Sequence, residues 1–208
     1  MQALSPINYH DAVSAVGSPE VFVKPANMDS SVGVSKAQTA DEFESCCSSA
    51  LRFDRKILIE RVVAPAREIE CSVLEDANGD VRASQLGEVV PARKHGFYSY
   101  DAKYIDGDGA ALRIPANVPS TLADCIKALA IRTFRVLCCE GMARVDFFLS
   151  DETVFVNEAN TLPGFTNISM YPKLWEASGL PQSELMNILI GHALARHNAS
   201  KNLAFARE

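Results

Sequence analysis

The chain has 208 residues, 48% of them apolar, a formal net charge of −6 and six cysteines. That length supports one large domain or two small ones with ample core, and the apolar fraction excludes a disordered chain. The negative balance and the absence of any Lys/Arg run exclude a nucleic-acid surface, and no uninterrupted apolar run is long enough to span a bilayer.

The start, MQALSPINYHDAV, lacks a basic region followed by an apolar stretch, so no signal peptide is read and a cytoplasmic location is expected. Cys46, Cys47, Cys71, Cys125, Cys138 and Cys139 include two vicinal pairs and no C-x-x-C. Neither zinc nor a disulfide framework is expected of them; they read as reduced, small and largely buried.

In chain order, residues 1–19 carry weak signals and read as a lead-in. Val21-Phe22-Val23 is a short buried strand ending at Lys24-Pro25, and Asn27 to Gly33 is a polar, turn-prone loop before Val34-Ser35-Lys36. Thr39 or Asp41 caps a helix running to about Phe53. Lys56 to Glu60, Glu68 to Leu74 and Ala83 to Val90 read as strands, with a turn at Asn78-Gly79. His95 to Gly109 is long, polar and rich in Tyr and Asp; such a stretch inside a compact domain reads as a functional lid. From Ser120 to about Cys139 runs the longest helix, with Leu122, Ile126, Leu129, Ala130, Phe134 and Leu137 as its apolar stripe. Two strands about the turn Ser150-Asp151-Glu152 follow. Then come a loop from Leu162 to Ile168, a short helix from Tyr171 to Ala177 and a terminal helix from Gln182 to His197. The order is mixed α+β with antiparallel hairpins rather than regular βαβ units, without an internal repeat or low-complexity linker.

The most informative stretch is Arg144 to Gly164, RVDFF…FVNEANTLPG. On its first strand Arg144, Asp146 and Phe148 share one parity; on its second Val154, Val156 and Glu158 share one. Folding about the turn sets Asp146 roughly opposite Val156 to Glu158, so that two carboxylates and the Asn160 amide oxygen converge beside an arginine. Hard oxygen ligands next to a cation are what a Mg²⁺–phosphate site needs. Solvated charges are the simpler reading of an isolated hairpin. Here the acids sit among strongly apolar residues, where charged groups have a ligand or a partner.

Other candidates are weaker alone. Lys24 closes a buried strand before a Ser-rich turn, from where it can reach a phosphate as a point charge; the plainer alternative is a surface lysine. Asp29-Ser30-Ser31-Val32-Gly33 offers hydroxyls and successive backbone N–H groups that can cradle an anion, without being a Walker motif. Ile57 to Val63 places Glu60 and free backbone groups at a strand edge, which suits a purine, or is simply a strand end. Glu68 and Glu70 are candidates for a ribose hydroxyl, or for neither. Lys103 and Tyr104 are lid residues over phosphates or exposed loop. His95, His192 and His197 have no ligand spacing and read as surface or structural, and no nucleophile elbow or Ser/His/Asp order is present.

Taken together, FVKPAN, SSVGVSK, ILIE, REIECSVL, FYSYDAKYID, GMARVDFFL and VNEANTLPGFTNISMYPKLW, in this order, closely resemble D-alanine–D-alanine ligases of the ATP-grasp superfamily. The match runs from about Phe22 to His197, and its last motif is long and specific. The resemblance implies an α+β ATP-grasp fold. Residues 1–20 would be a lead-in, residues 21–63 a partial central subdomain and residues 64–208 the carboxy-terminal subdomain. It implies that ATP phosphorylates the carboxylate of one D-alanine and that the amine of a second attacks the acyl phosphate, releasing phosphate and the dipeptide used in peptidoglycan. ATP and two Mg²⁺ ions, with Mn²⁺ as a substitute, are the implied cofactors, and a homodimer is the implied assembly.

Carried over residue by residue, Lys24 and Ser31 contact the ATP phosphates, Glu60, Arg61 and Val63 form the adenine-binding hinge, and Glu68 accepts the ribose. Lys103 and Tyr104 lie on the mobile loop, with Tyr104 paired to Ser30 and Lys103 approaching the γ-phosphate. Asp146, Glu158 and Asn160 hold the metals, with Glu158 bridging. Arg144 and the Gly164 backbone N–H stabilise the tetrahedral intermediate. Ser169 and the backbone of Met170 bind the carboxylate of the second D-alanine.

The chain departs from the family pattern in places. Asp29 stands where a glycine usually precedes the serine pair, which adds negative charge beside ATP and removes the freedom of positive φ. The stretch between Glu60 and Glu68 is one residue longer than usual, at about Pro65, which loosens the assignment of Glu68. The chain also lacks the amino-terminal domain and first part of the central domain of family members, so a carboxy-terminal fragment is expected. An inert nucleotide-binding fragment and a ligase with a different second substrate are the competing readings.

Overall fold

A computed structural model of the chain describes residues 7–28, 31–91, 110–166 and 168–201. The chain divides into two compact units that part between Ala64 and Pro65.

The first unit holds β1 (Val21–Pro25), β2 (Ser35–Ala37) and β3 (Ile57–Arg61) in an antiparallel sheet of order β2-β1-β3. Helices α1 (Tyr9–Val16) and α2 (Ala40–Ala50) cover one face. Ala12, Phe43 and Ala50 bury there against Val21, Val23 and Ala37. Strand alternation therefore sends Phe22 and Lys24 to the opposite face. The Asn8 side chain accepts a hydrogen bond from the Asp11 N–H, and Gly17 closes α1 with φ 68°. Thr39 caps α2 by accepting from the Glu42 N–H, and the helix stops at Ala50, short of Phe53. Helix α1 lies within the stretch read as a weak lead-in. With eight residues it offers too few periods to stand out, and the caps and the sheet stabilise it.

The second unit is built on β4 (Arg67–Glu75), β5 (Val81–Pro91), β6 (Ala110–Arg113), β7 (Met142–Ser150) and β8 (Thr153–Asn160), in the order β6-β5-β4-β7-β8. The pairings β4–β5, β4–β7 and β7–β8 are antiparallel. Helix α3 (Ser120–Val136) covers one face, where Ile126, Ala130 and Phe134 pack on Ile69, Cys71, Val73, Val145 and Phe147. Each such large apolar side chain stabilises by about 1.5–3 kcal/mol relative to exposure. The helix ends before the expected Cys139. Cys138 turns into the left-handed region at φ 53°, and Leu137 leaves the apolar stripe, 58% exposed.

Helices α4 (Met170–Ala177) and α5 (Gln182–Ser200) cover part of the other face, with Tyr171, Trp175, Leu180 and Leu185 clustered on Leu74. The Tyr171 hydroxyl donates to the Val73 carbonyl at 3.0 Å and the Ser72 hydroxyl to the Tyr171 carbonyl at 3.4 Å, which fixes α4 to β4. His192 ties α5 to the sheet through Glu75 Oε2, 3.1 Å from its Nε2, in keeping with a structural histidine. All six cysteines are free. Cys71 is buried and burial pushes its thiol up to about 12, but Cys125 and Cys138 are exposed, against the expectation of general burial. Among the described residues no helix is long and apolar enough to cross a membrane.

Candidate active site

The site in the second unit grows from alternation on β7. Ala143, Val145, Phe147 and Leu149 are 0–3% exposed in the α3 core, so Arg144, Asp146 and Phe148 face the other way. Pairing extends this face sideways. Glu70, Asp146 and Glu158 form one cross-strand row, and Ser72, Arg144 and Asn160 the next. Opposed side chains in such rows stand about 4.5–5.5 Å apart at Cβ.

Glu158 reaches this face through an irregularity. Asp146 pairs with Glu158 while Phe147 pairs with Val156, so Asn157 is an extra residue in β8. Val154 and Ala159 both pack on the α3 core although they stand five positions apart, an odd step that only a shift of this kind allows. The sequence reading grouped Glu158 with Val154 and Val156 by parity. The bulge corrects that grouping: it carries Glu158 across to Asp146 and leaves the valines on the other side.

Arg144 is the hub. Its Nε lies 2.8 Å from Asp146 Oδ1 and its Nη2 2.7 Å from Asp146 Oδ2, a bidentate pair. The same Nε is 3.0 Å from Glu70 Oε2. Side-chain exposure is 15% for Arg144, 13% for Asp146 and 11% for Glu70. Burial works against the guanidinium charge, but Asp146, Glu70 and Glu158 outweigh it and hold Arg144 protonated beyond its ordinary range. Local sequence did not assign Glu70 to this cluster. Its alternation with Ile69 was visible, but its place opposite Asp146 depends on a long-range register.

The donor set suits a hard divalent cation. Carboxylate oxygens of Asp146 and Glu158 and the amide oxygen of Asn160 project from adjacent rows, and Glu70, Asp146 and Glu158 outnumber the one guanidinium. Among the described residues, no three acids, thiols or imidazoles already stand as a metal-holding cluster, and Asp146 places both oxygens on Arg144. Each carboxylate oxygen keeps further acceptor capacity beside its contact with Arg144, so the residue types fit a divalent cation.

The loop after β8 brings the remaining candidates of this unit together. Asn160 Oδ1 accepts from the Leu162 N–H at 3.0 Å. A Cβ on Gly164 would stand 2.8 Å from Ser169 Oγ, so a larger residue there would push the Ser169 hydroxyl aside. Ser169 Oγ accepts from the Thr166 N–H at 3.0 Å, and Ser169 opens α4 without capping it through its side chain. The first-turn N–H groups of α4, beginning at Met170, thereby keep donor capacity suited to an anion. Beside the loop is an apolar groove of about 830 Å³ lined by Leu162, Pro163, Phe165, Met186 and Ile190 among others; it carries none of the acids.

In the first unit, Lys24 Nζ is 2.9 Å from Glu60 Oε2, with side-chain exposures of 12% and 33%. Lys24 is therefore not a plain surface lysine. Ser31 has φ 58° and Gly33 φ 73°, so the turn holds a non-glycine residue in the left-handed region at a cost of about 1–3 kcal/mol, as anion-binding turns often do. Arg61 ends β3, exposed, and Val63 follows the strand. Glu68 belongs to the second unit, opposite Phe148 and Val89. Asp29, Ser30, His95, Lys103 and Tyr104 lie outside the described residues.

Comparison with known proteins adds independent findings. A family model described as "D-ala D-ala ligase C-terminus" matches residues 6–191. The D-alanine–D-alanine ligase of Bradyrhizobium sp. (strain ORS 278) is 62% identical over 207 residues, 100% of this chain and 56% of that protein. The ligase of Shouchella clausii is 50% identical over 95% of this chain and 52% of its own length. The chain thus spans about half the length of these relatives. Among solved structures, the D-alanine–D-alanine ligase of Coxiella burnetii matches with TM-score 0.73 and 38% identity over 87% of this chain and 47% of its own. The VanG D-Ala:D-Ser ligase of Enterococcus faecalis matches with TM-score 0.74 and 27% identity over 88% of this chain and 52% of its own. With its α+β ATP-grasp architecture and a match across most of its length, the chain belongs to the D-alanine–D-alanine ligase carboxy-terminal family.

Proposed function

We propose that this chain carries the metal and second-substrate half of an ATP-dependent D-alanine–D-alanine ligase, acting in the cytoplasm in peptidoglycan synthesis. The observation that carries the reading is the pair of cross-strand rows, Glu70–Asp146–Glu158 and Ser72–Arg144–Asn160, together with the Gly164–Ser169 contact. In this reading Asp146, Glu158 and Asn160 hold two Mg²⁺ ions, for which Mn²⁺ substitutes. Bound there, the metal neutralises the phosphate charge that builds up as the phosphoryl group moves.

The chain's own groups do the rest. Lys24 and Ser31 bind the ATP phosphates, Tyr104 pairs with Ser30, Glu60, Arg61 and Val63 receive the adenine, and Glu68 the ribose. Lys103 and Tyr104 close over the reacting groups. A D-alanine carboxylate takes the γ-phosphoryl group, and the amine of a second D-alanine attacks the acyl carbon and expels phosphate. Arg144 and the Gly164 N–H donate to the oxyanion of that tetrahedral intermediate. Ser169 and the Met170 N–H hold the carboxylate of the second D-alanine. A homodimer is the assembly proposed with this activity.

A second reading has its own support: the fold match to a D-Ala:D-Ser ligase means that this architecture accommodates a different second substrate. One assay addresses both. Release of ADP from ATP and Mg²⁺ is followed with D-alanine alone and with D-alanine plus D-serine, and the products are identified. D-alanyl-D-alanine formation that is lost in Glu158→Gln supports the ligase reading. Activity unaffected by that change refutes the metal role, and absence of turnover in the unmutated chain favours an inert fragment.

A further inference from the structure

We propose that Glu70 is a positioning residue: it shares Arg144 with Asp146 and keeps the guanidinium in place when Asp146 turns to a divalent cation. The claim about the cation rests on the ligase reading above; the claim about Arg144 stands on the geometry alone. The Arg144 Nε–H donates to Asp146 Oδ1 at 2.8 Å. Glu70 Oε2 stands 3.0 Å from the same nitrogen as a buried ion-pair contact that accepts no hydrogen bond from the described residues, in place to take the N–H over when Asp146 changes partner. The two acids are direct cross-strand partners, and both are largely withdrawn from water.

The charge logic follows. An arginine held by Asp146 alone would compete with any cation for the same oxygens. A cation that drew on both Asp146 and Glu158 could win only by taking from a largely buried guanidinium the anions left to it, which is costly. Glu70 removes that conflict. With a second carboxylate on the Nε side, Arg144 retains a counter-ion and a fixed position while Asp146 changes partner. The two acids so divide the work, Asp146 toward the cation and Glu70 toward the arginine. A glutamine at position 70 keeps the shape and loses the charge, so Arg144 falls back on Asp146.

The test reads water exchange of the Arg144 Nε–H by ¹⁵N NMR, without metal, in the unmutated chain, Asp146→Asn, Glu70→Gln and the double variant. Glu70 is expected to keep exchange in Asp146→Asn within about threefold of the unmutated chain, with a rise of about tenfold or more in the double variant. Exchange in Asp146→Asn equal to that of the double variant overturns the proposal. Should Asp146→Asn not fold, Glu70→Gln alone decides: a rise of about threefold supports the role, and unchanged exchange overturns it.

Mn²⁺ titration then probes the division of work. Glu70→Gln is expected to weaken Mn²⁺ about tenfold in the unmutated background and less than about threefold beside Arg144→Gln. Equal losses in both backgrounds mean that Glu70 is merely an attracting charge, and overturn the proposal. If the unmutated chain binds no Mn²⁺, the metal reading fails, while the exchange data still decide whether Glu70 holds Arg144.

Discussion

Each unit presents a cation to the face of a sheet, but they hold it differently. In the first unit Lys24 pairs with Glu60, a partly exposed partner, at 2.9 Å. In the second, Arg144 is gripped by a bidentate Asp146 and by Glu70, all three side chains at most 15% exposed. An ammonium on a flexible stem exchanges one partner for another easily, whereas a planar guanidinium between two carboxylates is fixed in place. The contrast suits a lysine that meets a transient phosphate and an arginine that waits in position for developing charge. It also eases the crowding of the acids on β4, β7 and β8, since Arg144 offsets part of their charge.

The largest break in this contrast is expected from Arg144→Met. It strands Glu70, Asp146 and Glu158 near one another with no guanidinium between them, and should cost about 3–5 kcal/mol in urea unfolding, against about 1 kcal/mol or less for Lys24→Met. Mg²⁺ should restore part of the Arg144→Met loss by supplying the missing positive charge.

Next in size is deletion of Ala159. With Val156 held opposite Phe147 and Asn160 opposite Arg144, strict alternation then sets Asn157 opposite Asp146 and turns Glu158 toward the α3 core beside Val145. The cost should be roughly 3 kcal/mol in the same unfolding measurement, with loss of Mn²⁺ binding. Binding that survives the deletion would show that the bulge does not place Glu158.

A smaller effect comes from Glu88, whose carboxyl the Arg67 guanidinium holds below its ordinary value against the pull of burial. Its folded-state pKa is depressed, so its contribution is present above the unfolded carboxylate pKa and is lost as pH falls through the folded value. Glu88→Gln should therefore cost about 1–2 kcal/mol at neutral pH and flatten the fall in stability below about pH 4.5. Denaturant midpoints measured against pH check this.

The smallest effect concerns thiols. Cys71, buried and held as a thiol, should resist alkylation in the folded chain while the exposed Cys125 and Cys138 react; mass mapping after brief iodoacetamide treatment tests the order.

How much of this was legible follows from which signals are local. The strands β4, β7 and β8 could be read because Glu68 to Leu74 and Arg144 to Leu149 alternate. The hairpin turn could be read because Asp151 takes φ 52°, a conformation that Asp tolerates. The ligand types at Asp146, Glu158 and Asn160 were evident from composition and spacing. Their convergence beside Arg144 was read from the fold-back about Ser150-Asp151-Glu152, but not the parity behind it, which depends on the register shift at Asn157 that nothing in VFVNEAN announces. Glu70 escaped for a similar reason, as its partners lie more than seventy residues away along the chain. Helix α1 was missed because eight residues carry little periodic signal, and the end of α3 because the left-handed turn falls at Cys138 rather than at a glycine.

The central claim is that the acid rows of the second unit form a divalent-cation site. Mn²⁺ binding followed by electron paramagnetic resonance, in the unmutated chain and in Glu158→Gln with its circular dichroism unchanged, tests it most directly. The account predicts binding in the unmutated chain that weakens by about tenfold or more in Glu158→Gln, as expected when a charged ligand is lost. Equal Mn²⁺ affinity in the two proteins would contradict it.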